Sequence, residues 1–148
     1  MAQTYQRTKL QEVTIRGYKS IAYDRPVTLK LGDVSILLGA NGAGKSNIIS
    51  FFRMLSYMLH YGIKRTPVMS GELKFADSNS VDVYGFSLAN ATPDRLIITE
   101  ERITWHRKGE KKPYEIALEP NFKESALAEC EDPVAKTIFQ MLSYCKVY

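Results

Sequence analysis

The residues in this chain best suited to chemistry are Gly39-Ala-Asn-Gly-Ala-Gly-Lys-Ser46, which have the spacing G-x-x-x-x-G-K-[ST] of a P-loop. Gly39, Gly42 and Gly44 let the backbone take conformations closed to residues with a Cβ, so that successive N–H groups can turn inward around phosphate oxygens. A helix starting near Lys45 adds its unpaired first N–H groups and the positive end of its dipole. Lys45 then carries a flexible cation to the β- and γ-phosphates of a nucleoside triphosphate, and the Ser46 hydroxyl is the expected ligand of the Mg²⁺ that bridges them.

Such a loop needs a strand before it and a helix after it. Val34-Ser-Ile-Leu-Leu38 is nearly all apolar and reads as a strand covered on both faces, as in the central sheet of an α/β domain. Beyond Lys45 the residues Ile48, Phe51, Phe52, Leu55, Met58 and Leu59 recur at steps that give one broad helical face, with Gly62 the expected stop. Upstream, partial alternation through Leu10, Val13 and Ile15 predicts a strand ending at Gly17, and Val27-Thr-Leu-Lys-Leu31 predicts a short second one.

From Ser70 to Glu119 the pattern changes to short β-like runs: 71–76, 81–89, 95–106 and 114–118. The connections are too short for parallel crossovers, so these runs predict an antiparallel meander. Its basic turn, Arg107-Lys-Gly-Glu-Lys-Lys-Pro113, reads as a solvated hairpin tip, with a phosphate-contacting role as the alternative. Asp132-Pro133 has the form of a helix cap followed by proline at the first helical position, and Val134, Ile138, Met141, Leu142 and Cys145 mark one face. Residues 122–129 predict a weaker helix before it.

A length of 148 residues, 45% hydrophobic and 24% charged, is ordinary for one globular domain. No apolar run reaches the roughly 20 residues that cross a bilayer, and the polar N-terminus is unlike a signal peptide, so the expected location is cytoplasmic. Cys130 and Cys145 lack metal-ligand spacing and read as reduced, packed thiols. A net charge of +4 is a mild basic excess that does not by itself indicate a nucleic-acid partner.

Hydrolysis requires more than a phosphate cradle. An acidic residue on another core strand must hold Mg²⁺, and a further group must orient water. The nearest candidate, Leu96-Ile-Ile-Thr-Glu-Glu101, has Thr99 in its fourth apolar position and continues without a turn into Arg102-Ile-Thr-Trp-His106. It reads instead as a half-exposed meander strand.

Taken together, Leu10-Gln-Glu-Val-Thr-Ile-Arg-Gly-Tyr-Lys-Ser-Ile21, Val34 through Asn47 and the Phe-rich helix resemble the N-terminus of RecF/SMC-like predicted ATPases, which belong to the ABC-type P-loop class and commonly carry the label of AAA-family ATPases. The Gly17-Tyr-Lys-Ser20 element is similar to the family's G-F-[KR]-S motif, and Lys64-Arg-Thr-Pro67 also resembles that group. The resemblance implies Gly39, Asn41, Gly42, Gly44, Lys45, Ser46 and Asn47 around the phosphates of ATP, with Lys19 an added basic contact. It also implies that the signature motif, Walker B carboxylates and switch histidine belong to a later half without a counterpart here.

The expected fold is therefore an α/β P-loop NTPase lobe with an antiparallel β-meander and a C-terminal helix, divided at 1–69, 70–120 and 121–148. The expected function is Mg-ATP binding, with hydrolysis dependent on a homodimer or on a complementing C-terminal lobe. Family roles imply DNA repair or phage defence, hence DNA as a further partner and no membrane. The rival readings are a small P-loop kinase and a non-catalytic nucleotide-binding assembly module.

Overall fold

The computed structural model describes residues 8–60, 68–92, 95–119 and 124–145. Six strands, β1 (Lys9–Arg16), β2 (Val27–Lys30), β3 (Met69–Ala76), β4 (Ser80–Thr92), β5 (Arg95–Arg107) and β6 (Tyr114–Leu118), form one sheet in the order β2-β1-β3-β4-β5-β6. Every neighbouring pair is antiparallel. Helices α1 (Lys45–His60) and α2 (Pro133–Ser143) and a 3-10 turn (Ala126–Ala128) complete the described elements.

This overturns the α/β P-loop NTPase expectation, which requires a parallel sheet flanked by many helices. Turns as tight as residues 77–79 and 108–113 reverse the chain within the meander, as expected. The difference lies between β2 and β3, where residues 31–68 carry α1 and are long enough for a crossover, yet β3 pairs antiparallel to β1. Residues 34–38, expected as a doubly covered central strand, join no ladder. Val34, Ile36 and Leu38 are 83%, 77% and 88% exposed.

The core face of the sheet follows from register. Leu29, Val13, Leu73, Tyr84, Ile103 and Ile116 stand side by side across all six strands, and Val27, Ile15, Gly71, Phe86, Glu101 and Leu118 form the next row. Against these rows α1 packs Phe51, Leu55, Met58 and Leu59, whose three- and four-residue spacing makes its buried stripe. Phe51 stacks on Phe86 at a centroid distance of 6.3 Å. Gly71 makes that possible: a Cβ there would lie 2.5 Å from Phe86 Cζ and 3.0 Å from Phe51 Cζ. The opposite face is polar, with Thr14 bonded to Thr28 and Arg102 reaching Glu72.

One acid sits in the core row. Glu101 is 3% exposed and accepts hydrogen bonds from Tyr84 OH, Ser125 Oγ and, at 2.8 Å, the backbone N–H of Ala126. Ser125 extends the link, since its own N–H donates to Met58 O of α1 at 3.3 Å and its Oγ accepts from Leu127 N–H at 3.1 Å. Burial, with the Glu101 carboxylate beside it, pushes the Tyr84 phenol well above its ordinary range and keeps it a donor. At the chain's last helix, Asp132 Oδ1 caps the amides of Val134 and Ala135 at 2.8 and 3.3 Å, and Pro133 opens α2. Ala135, Ile138 and Leu142 are its buried residues.

Of the remaining expected features, residues 122–123, Gly62 and the 64–67 element lie outside the described residues. Among the described residues, no helix is long and apolar enough to cross a membrane. Both cysteines are free and half-buried, and burial pushes the Cys145 thiol up.

Removing the Glu101 carboxylate leaves buried donors unmatched, so Glu101→Ala is expected to lower the unfolding free energy by about 3 kcal/mol. Asp132→Ala, which removes only the α2 cap, is expected to cost about 1 kcal/mol. Equilibrium urea unfolding checks both, and equal effects would contradict the assignment of Glu101 as the tie between layers.

Candidate functional site

The glycine-rich loop is closed by Ala43 N–H donating to Ala40 O at 3.2 Å, which places Asn41 and Gly42 at an exposed turn. Gly42 and Gly44 both have φ +87, in the left-handed region where a side chain is strained. At the entry to α1, Asn47 N–H and Ile48 N–H both donate to Gly44 O, at 2.9 and 3.4 Å. The amides of Lys45 and Ser46 meet no acceptor among the described residues. The first turn of this 16-residue helix carries no acidic side chain, so the positive end of its dipole is uncompensated locally.

Lys45 folds back over the loop. Its ammonium donates to Gly39 O and, at 2.8 Å, to Ala40 O. Both acceptors are backbone carbonyls rather than carboxylates, so they hold the cation at the loop without an opposing charge. A Cβ on Gly39 would come within 3.1 Å of the Ala43 methyl, which gives this glycine a packing role. Ser46 is exposed.

The other two expected phosphate contacts, Lys19 and Asn47, are drawn to the same helix end but hold different partners. Lys19, at φ +54, donates from Nζ to Ser50 Oγ at 2.7 Å and lies 5.5 Å from the centroid of the Tyr18 ring. Tyr18 OH donates to the same Ser50 oxygen at 3.3 Å, and Ser50 Oγ–H donates to Asn47 O at 3.0 Å. Asn47 Nδ2 donates to Ser20 Oγ. The buried Tyr18 ring meets Phe51 edge-on at 5.7 Å. The turn at residues 17–20 therefore clasps the first two turns of α1.

Sequence reasoning misses Tyr18, Ser20 and Ser50 as site-shaping residues. The only signal is the Gly17-Tyr-Lys-Ser20 element itself, because nothing in its spacing identifies Ser50 as its partner 31 residues from Lys19.

The carboxylates are placed elsewhere. Glu100 and Glu101 lie on β5, with Glu101 turned into the core network and Glu100 exposed and accepting from Ser87 Oγ at 3.4 Å. Among the described residues, no group of three His, Cys, Asp or Glu gathers to hold a metal ion. Ser46, the expected Mg²⁺ ligand, is exposed at the start of α1; such an ion is ordinarily held by one or two carboxylates together with substrate phosphates. The chain matches no protein-family profile and no curated protein.

Ser50→Ala withdraws the acceptor shared by Tyr18 OH and Lys19 and is expected to destabilise the fold by roughly 1 kcal/mol. Thermal or urea unfolding measures the change; stability equal to wild type would show that the clasp contributes nothing.

Proposed function

We propose that the chain binds the phosphates of a nucleoside triphosphate, ATP by the resemblance of its motif, at residues 39–46. The observation that carries this reading is the placement of the Lys45 ammonium over a loop with two left-handed glycines, at a helix end whose first amides have no partner among the described residues. Each feature favours an anion, and together they offer N–H donors, a dipole and a mobile cation to one small group. Phosphate oxygens would replace the carbonyls of Gly39 and Ala40 as acceptors for Lys45, exchanging neutral acceptors for charged ones.

The reading is of binding, with no chemical step assigned. Glu101 accepts three hydrogen bonds that tie the fold together and is not available to polarise water. The RecF/SMC-like resemblance remains part of the proposal through the residues that carry it, Leu10 to Ile21 and Val34 to Asn47, without the parallel sheet of that class.

A fluorescent ATP analogue is expected to bind the wild-type chain. Lys45→Ala is expected to weaken it by roughly 10- to 100-fold, the value of a charge-assisted hydrogen bond, with the urea midpoint unchanged. Unaltered affinity in Lys45→Ala would refute the site, and steady phosphate release in the wild-type samples would refute binding without turnover.

A further inference from the structure

The β5–β6 hairpin is a second positively charged feature, and the phosphate loop does not account for it. Arg107, Lys108, Lys111 and Lys112 stand within one turn that contains a single acid, Glu110, and all are exposed. No salt bridge among the described residues engages them, although Arg107 acts electrostatically on the largely buried Asp82 of β4. The turn is nonetheless well held. Lys108 N–H donates to Asn79 O of the neighbouring β3–β4 turn at 2.8 Å, Glu110 N–H donates to Arg107 O at 3.1 Å, and His106 Nε2–H donates to Glu110 O at 3.0 Å. A cluster of cations on a braced turn loses less conformational entropy on meeting a polyanion than the same cations on a loose loop.

An aromatic platform lies at the base of this turn. Trp105 and Tyr114 are the first ladder pair of β5 and β6, and their rings meet at a centroid distance of 4.1 Å with a 38° tilt. Trp105 packs against the core, while Tyr114 is 55% exposed. Arg107, two residues beyond Trp105, projects from the same face of the strand.

We propose that this hairpin is a contact surface for single-stranded nucleic acid. The backbone phosphates lie along Arg107, Lys108, Lys111 and Lys112, and an unpaired base stacks on Tyr114, which Trp105 supports from behind. The combination of cations outside any salt bridge with an open aromatic face selects this partner over an anionic membrane. From Arg107 to Pro113 the turn carries no large apolar side chain, and Tyr114 at its base is a single exposed aromatic rather than the broad apolar face that enters a bilayer. The proposal stands independently of the nucleotide reading.

The test uses the full chain and fluorescein-labelled oligo(dT) and oligo(U), followed by anisotropy across a salt series. Trp105 is the chain's only tryptophan, so its emission reports directly on the platform. Expected are saturable binding, quenching of Trp105, and a log affinity that falls with log salt at a slope of about −2 to −3, for three or four contacts at about 0.7 each. Lys108→Glu/Lys111→Glu/Lys112→Glu is expected to lose at least about tenfold in affinity and most of that slope. Tyr114→Ala is expected to lose about tenfold with the slope kept. A charge-matched control, Lys30→Glu/Arg53→Glu/Lys136→Glu, is expected to bind like wild type. Preference for either sugar supports the proposal. Absence of binding at low salt, unquenched Trp105, equal losses in the control, or binding only to phosphatidylserine vesicles would each overturn it.

Discussion

The structure depends on one buried carboxylate. Glu101 projects from β5, the strand next to one edge of the sheet, into a row otherwise filled by Val27, Ile15, Gly71, Phe86 and Leu118. Its oxygens are met by a phenol, a hydroxyl and a backbone amide. Leaving a carboxylate unmatched there would cost several kcal/mol, so the donors must be present together, and they come from distant parts of the chain. Tyr84 belongs to β4, Ser125 and Ala126 to the segment before α2, and the Ser125 amide also holds Met58 O at the far end of α1. Sheet, first helix and last segment are thereby joined at one polar point inside an apolar layer.

That junction bears on the glycine-rich loop at the other end of α1. With Met58 tied through Ser125 and Tyr18, Lys19 and Ser20 clasped to Ser50 and Asn47, the helix is held near both ends. Phe51 locks the middle against Phe86 and the space left by Gly71. The N-terminal amides of α1 consequently point from a fixed frame into an exposed loop. A phosphate site gains from such preorganisation because little conformational entropy remains to be lost on binding.

Much of the secondary structure is legible in the sequence because its signals are local. Alternation marks β1 and the strands of the meander, and Asp132-Pro133 marks the start of α2. The spacing of Ile48, Phe51, Leu55, Met58 and Leu59 marks the buried side of α1. The error at residues 34–38 has a non-local cause. An apolar run shows that a segment would gain from cover on both faces, but not whether neighbouring strands exist to supply it. The half-exposed meander strand around Glu101 is read correctly, but the burial of its carboxylate is not legible for a related reason: two of its three donors come from Ser125 and Ala126, 24 and 25 residues away. In the loop, the glycines and Lys45 announce themselves by type and spacing. The destinations of Lys19 and Asn47 do not, because both end on small hydroxyls that carry no motif.

The central claim, that residues 42–46 present a set of amides to a phosphate chain, is most directly tested by amide chemical shifts. In ¹⁵N-labelled protein titrated with tripolyphosphate, the Gly42, Gly44, Lys45 and Ser46 amides are predicted to move together and saturate, while core amides such as Leu73 and Ile103 stay in place. Shifts confined to Arg107–Lys112, or no shifts in the loop at saturating tripolyphosphate, would contradict the account.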